Sequence, residues 1–192
     1  SLYPDCQDYL EVYERAGLVT DRSVFGHCIH LSDSECRRLA EAGSVIAHCP
    51  TSNLFLGSGL FDMLQANRVG MQTVLATDVG AGTSFSLLRT MGEAYKVQQL
   101  NGYPMSVFES LYKCTLGAAK ALHLDDEIGC FGKGRKADFI VIDYAVTPSQ
   151  QVRMDYLKHH EKWTLENKLF GLQTIGDDRN ILATYIVGRR MK

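Results

Sequence analysis

Three short apolar runs each end on a residue able to bind a metal or move a proton. Ser23-Val24-Phe25-Gly26 stops at His27, Ser44-Val45-Ile46-Ala47 at His48, and Thr73-Val74-Leu75-Ala76 at Thr77-Asp78. Imidazole and carboxylate are ligand types of a hydrolytic divalent-metal site, and either can serve as general acid or base. Taken singly, each has an ordinary explanation. A lone histidine is more often a hydrogen-bonded structural residue, and an Asp after a strand is usually a cap or turn former. Other chemistries find no footing. Gly80-Ala81-Gly82 has neither the following Lys-Ser/Thr of a phosphate loop nor the G-x-G-x-x-G spacing of a dinucleotide site. Ser84 and Ser86 sit in no nucleophile elbow. The cysteines at positions 6, 28, 36, 49, 114 and 130 form no Cys-x-x-Cys pair. That excludes a zinc ribbon, a thioredoxin-type motif and the ligand pair of the small zinc deaminases. They read as free, buried or half-buried thiols of a cytoplasmic protein.

The surrounding elements must bring the strand ends together. Asp5 to Ala16 predicts a helix stopped by Gly17. Ser32, with Glu35 three residues on, predicts a capping box; Cys36, Leu39 and Ala40 form the stripe of the helix behind it, and Gly43 ends it. Thr51-Ser52-Asn53 reads as a polar loop leading through Gly57-Ser58-Gly59 to a helix over Leu60 to Asn67. After the Gly80 to Thr83 loop, Leu87, Leu88, Met91 and Tyr95 mark one face of a long helix, and a further helix spans Ser106 to Leu122. Successive strand–helix units imply right-handed crossovers and a parallel sheet. Chemistry in such folds collects at the C-terminal strand ends, where His27, His48 and Asp78 stand.

Beyond this the texture changes. Ala137 to Asp143 is a strong strand, a helix is expected around Trp163 to Phe170, and a final strand runs from Ala183 to Val187 before Gly188-Arg189. The expected division is 1–125 for the strand–helix units, and 126–192 for a segment contributing to a small β domain with a closing helix. With 192 residues, 45% hydrophobic and 22% charged, the chain can bury a real core. A net charge of -2 with intermixed signs offers no footprint for nucleic acid and no polybasic membrane anchor. Neither a signal peptide nor a run of ~18 apolar residues is found. A start at Ser1-Leu2-Tyr3 without Met is expected of a chain processed or cut from something longer.

Three segments in combination carry a resemblance: Gly26-His27-Cys28-Ile29-His30-Leu31, Ile46 to Leu54 with its His48-Cys49-Pro50-Thr51-Ser52-Asn53 core, and Ala76-Thr77-Asp78-Val79-Gly80-Ala81-Gly82. They resemble the amidohydrolase superfamily in its guanine deaminase and triazine-hydrolase-like branch. Leu56-Gly57-Ser58-Gly59, Phe85 to Arg89 and Gly176-Asp177-Asp178-Arg179-Asn180-Ile181 look like the guanine deaminases in particular, and the likeness covers essentially the whole chain. It implies an α/β fold: the C-terminal part of a (β/α)8 metal-dependent hydrolase (TIM) barrel plus part of a small β domain. It further implies an aminohydrolase turning guanine and water into xanthine and ammonia, with a homodimeric, cytoplasmic parent. One divalent metal is implied per full-length subunit, zinc or alternatively iron. His27 matches the histidine after the sixth strand, a catalytic residue of the metal shell. Asp78 matches the aspartate after the eighth, which ligates the metal, shuttles a proton and meets the substrate. His48 is expected in a structural hydrogen-bonding role, and Arg179 as a salt-bridge partner near the domain junction. His30, His123, His159 and His160 are expected to be surface or capping residues.

The chain departs from that pattern in one respect. The family's His-x-His pair and His-x-x-Glu motif do not occur, as if the chain began in the helix after the fifth strand. Two ligands cannot complete a four-coordinate site, and an eight-stranded barrel needs ~250 residues. The isolated chain is therefore expected to be inactive and to bind catalytic metal weakly or not at all. The alternatives are a related deaminase or chlorohydrolase acting on adenosine-type or triazine rings, and a non-catalytic structural half-barrel.

Overall fold

The structure, a computed structural model, describes residues 2–191. Helix α1 (Tyr9–Arg15) begins four residues later than Asp5, because Asp8 caps it by accepting from the Glu11 N–H. Strand β1 (Val24–Gly26) follows, then α2 (Asp33–Glu41), opened by the expected Ser32/Glu35 capping box. Strand β2 (Val45–His48) is buried at every position. It lies between β1 and β3 (Gln72–Leu75), all three parallel, with Ile46 opposite both Phe25 and Thr73. A central parallel strand is covered on both faces, hence its continuous apolar run. Ile46 joins Leu39, Met63, Met91 and Met105 in the larger core, while Val45, Ala47, Cys49 and Val74 pack with Ala121 in a smaller one.

Several elements differ from expectation, each for a local reason. Thr51-Ser52-Asn53 is not a loop but lies in the helix α3 (Pro50–Phe55), started by Pro50 at its first turn. Proline's fixed φ suits that position, and burial of Pro50, Thr51, Ser52 and Asn53 overrides their poor intrinsic propensity. Helix α4 (Met63–Arg68) starts where Asp62 caps it rather than at Leu60. In α5 (Leu87–Leu100) the buried face is Thr90, Met91, Ala94, Val97 and Gln98; Leu87 and Tyr95 lie outside it. The helix foreseen over Ser106 to Leu122 is two, α6 (Val107–Cys114) and α7 (Leu116–Ala121), broken at Thr115 with φ -128° and ψ -105°.

Strand β4 (Phe139–Ile142) is followed by α8 (Pro148–His159), which the sequence reading did not anticipate, and α9 (Leu165–Ile175), longer than the expected helix. A short 3-10 turn (Asp178–Asn180) leads to β5 (Ile181–Ile186) and β6 (Arg189–Arg190), which complete an antiparallel sheet in the order β4-β5-β6. Phe139 lies opposite Tyr185 and stacks on it at 4.4 Å, a cross-strand pair that pins the register. Helix α9 ties this part back to the first sheet, with Phe170 set edge-on to Tyr95 of α5 at 5.2 Å.

Candidate active site

The parallel sheet delivers its strand ends to one edge. The His27 N–H donates to the Ala47 carbonyl and the Ala76 N–H to the His48 carbonyl, both at 3.0 Å, so each ladder runs one step past its strand. The backbone then turns sharply. His27, Cys28 and Asp78 all adopt left-handed φ, at 68°, 51° and 49°, a region non-glycine residues enter at a cost of about 1–3 kcal/mol. The turn after Asp78 closes through the Gly82 N–H donating to the Asp78 carbonyl at 2.6 Å. A Cβ on Gly82 would lie 1.7 Å from the Thr77 oxygen, so only glycine fits. From α3, the Thr51 hydroxyl donates to that same Thr77 oxygen at 3.2 Å.

These turns bring together the two residues singled out from the sequence. His27 Nε2 lies 3.6 Å from Asp78 Oδ2, with the side chains 45% and 39% exposed, open to a solute. Nδ1 of His27 faces Asn53 Oδ1 at 2.8 Å. Cys49 is a third potential donor, its sulfur within 4.8 Å of the other two ligand atoms. Its thiol is pushed above the ordinary range by burial and then by the Asp78 charge. It donates to the Ala47 carbonyl at 3.3 Å and is buried.

The donor set suits a divalent ion. Ligand atoms ~2.1 Å from one ion stand about 3.4 Å apart at tetrahedral angles, close to the observed 3.6 Å between His27 and Asp78. Nitrogen and carboxylate oxygen together are donors for a divalent transition metal. Two such donors leave the shell incomplete within the described residues. Beside His27, between α1, β1 and α2, opens a largely apolar cavity of about 850 Å³ lined by Tyr9, Tyr13, Phe25 and Leu39; Asp78 does not line it.

His48 corrects one expectation. Its ring is fully buried and stacks on Phe61 at 4.8 Å, but neither nitrogen has a hydrogen-bond partner among the described residues. Burial first, and then the Lys113 ammonium, drive its pKa down to about 3. Among the described residues it packs against Phe61 and makes no hydrogen bond, where a hydrogen-bonding role was expected. Arg179 does pair with Asp177 at 2.6 Å, and Arg89 of α5 reaches the same carboxylate at 3.9 Å. His30, His123, His159 and His160 are exposed; His30 meets the Ser58 carbonyl and His123 the Asp21 carbonyl. All six cysteines are free, with Cys130 exposed rather than buried.

The profile of the amidohydrolase family matches residues 3–191. The chain belongs to the amidohydrolase family. Guanine deaminase of Escherichia coli (strain K12) is 50% identical to this amidohydrolase chain over 189 residues, covering 98% of it and 42% of the relative. The E. coli guanine deaminase structure superposes with a TM-score of 0.94 at 49% identity, covering 100% of this chain and 44% of that one. A guanine deaminase from C. acetobutylicum with bound guanine gives 0.82 at 29% identity, with coverage of 100% and 44%. An adenosine deaminase from Xanthomonas campestris with bound zinc gives 0.77 at 25% identity, with coverage of 94% and 39%. The chain thus spans about two-fifths of the length of these relatives. The amidohydrolase fold accounts for the parallel strands and their crossover helices as part of a TIM-type barrel, which does not close within the described residues.

Sequence reasoning missed Cys49 and Asn53. A signal for Asn53 did exist. A metal-shell histidine ordinarily passes its second N–H to an acceptor, and Asn53 stands in the same motif as His48.

Proposed function

We propose that the whole protein containing this chain is a metal-dependent aminohydrolase that converts guanine and water to xanthine and ammonia, with His27 and Asp78 at its reacting centre. The observation that carries this reading is the approach of His27 Nε2 to Asp78 Oδ2, 3.6 Å, at the mouth of a parallel sheet. The half-identity to a guanine deaminase over nearly the full chain supports guanine as the substrate. The zinc in the adenosine deaminase neighbour supports zinc as the metal, with iron the alternative.

His27 and Asp78 would hold the ion, which when bound lowers the pKa of a water to ~7. Asp78 takes the proton from the attacking water and passes it to the departing amine, the work of a general base and then a general acid. The water oxygen first bonds to the ring carbon that bears the exocyclic amine; the carbon–nitrogen bond then breaks as that amine takes the proton from Asp78, and ammonia leaves. The exposure of the Asp78 carboxylate lets it meet the ring directly. His27 faces the same space and orients the attacking oxygen. The rest of the ion's shell comes from elsewhere in the whole protein.

We also infer a division near residue 125, on the change from a parallel to an antiparallel sheet. We read the whole protein as a homodimer, an expectation from the family resemblance. Cytoplasmic residence is supported by six unpaired thiols. No helix among the described residues is long and apolar enough to cross a membrane.

The test is ammonia release by the whole protein from guanine, adenosine and an amino-triazine in parallel. The expected result is turnover of guanine far above the others. Preference for adenosine or the triazine contradicts the substrate assignment; inactivity on all three, with metal bound, contradicts the enzyme.

A further inference from the structure

We propose that Asn53 is a positioning residue that holds neutral His27 as the Nδ1–H tautomer, so that the Nε2 lone pair and the Asp78 carboxylate face one space as two acceptors. The inference deepens the metal-site reading above and rests on it for its meaning, but its first readout does not depend on turnover. Asn53 Oδ1 lies 2.8 Å from His27 Nδ1, inside hydrogen-bond range. A carbonyl oxygen can only accept, so the ring nitrogen opposite it must carry the hydrogen. Asn53 is 2% exposed, and its place in α3 is held by the main chain: its backbone N–H donates to the Cys49 carbonyl at 3.0 Å and its backbone carbonyl accepts from the Ser58 N–H at 2.9 Å. The side-chain amide makes its one hydrogen bond among the described residues to the His27 ring, its Nδ2 having no partner there.

The opposite amide orientation would put N–H groups against Nδ1 and move the ring hydrogen to Nε2, aimed at Asp78. A ring N–H facing a carboxylate closes to ~2.7–2.9 Å when charge-assisted. Here Nε2 and Oδ2 stand at 3.6 Å, the spacing of two groups that do not bond each other. Two acceptors side by side repel unless a cation or an O–H lies between them. The amide of Asn53 therefore decides whether His27 and Asp78 form a closed hydrogen-bonded pair or a cation-seeking one. With Asn53 in place it is the second.

The experiment is a long-range proton–nitrogen correlation spectrum of the metal-free whole protein, ¹⁵N-labelled at histidine, taken at alkaline pH. The expected result is Nδ1–H in the wild type and in Asn53→Asp, which keeps an acceptor, and a swing to Nε2–H in Asn53→Leu. Nε2–H in the wild type overturns the proposal without reference to any variant's folding, and so does Nδ1–H persisting in a folded Asn53→Leu. In the whole protein, Asn53→Leu should lower kcat by ~10- to 100-fold, the usual effect of losing such a support, with KM little changed and Asn53→Asp restoring most of it. Equal losses in both variants contradict the role. Nδ1–H in a protein that does not turn over guanine supports the inference and sinks only the substrate assignment.

Discussion

Asp78 does two things that a substitution can separate: it occupies a left-handed backbone position and it presents a carboxylate. Asn tolerates the same φ as well as Asp, so Asp78→Asn in the whole protein should leave the fold intact. Turnover should fall by about 10²- to 10⁴-fold, the range for losing a general acid–base, and metal content should fall with it. Activity by steady-state assay and metal by elemental analysis check both. His48 makes a different prediction. Its folded pKa, about 3, lies below the ordinary value of 6.5, so between those values the unfolded chain binds more protons than the folded one. Stability is therefore full above about pH 6.5 and is lost as pH falls toward 3, at up to about 1.4 kcal/mol per unit. His48→Phe should flatten that slope in denaturant melts taken between pH 6.5 and 4. That His27 and Asp78 stand at neighbouring strand ends was readable from their residue types after apolar runs. The placement of Asn53 and Cys49 beside them was not, because it depends on how α3 folds back over the sheet.

The loops and caps that hold these residues have their own energetics. Replacing Ser32 by Ala removes the capping box of α2 and should cost about 0.5–2 kcal/mol of stability, measured by chemical denaturation. Gly82→Ala is more severe. Its Cβ would collide with the Thr77 carbonyl, so the turn must open and Asp78 must move away from His27. Metal binding by the whole protein should fall while most of the fold survives, and circular dichroism beside a metal titration reads the two separately. The sequence reading was strongest for elements with a self-contained signal, such as the three strands and the Ser32/Glu35 cap. It failed where tertiary packing decides. Helix α3 is built from residues of poor propensity, the break at Thr115 is marked only by Gly117, where a Cβ would lie 2.8 Å from the Tyr112 oxygen, and the exposed face of α8 blurs its helical period.

For the molecule as a whole, the parallel sheet ends in open edges at β1 and β3 among the described residues. Large apolar side chains stand in water as well, with Phe85 and Phe131 each more than 80% exposed. Unpaired strand edges and uncovered apolar surface drive association. The chain alone should therefore run larger than a monomer in light scattering; a clean monomer speaks for an independently evolved domain. Added zinc should give it no guanine turnover, since two donors do not make a hydrolytic site. The account as a whole requires that His27 and Asp78 serve one ion, and an anomalous-scattering map at the zinc edge from crystals of the whole protein tests this most directly. The predicted result is a single peak ~2.0–2.2 Å from an Asp78 carboxylate oxygen and facing Nε2 of His27. A fully loaded zinc lying elsewhere, with Asp78 outside its shell, contradicts it.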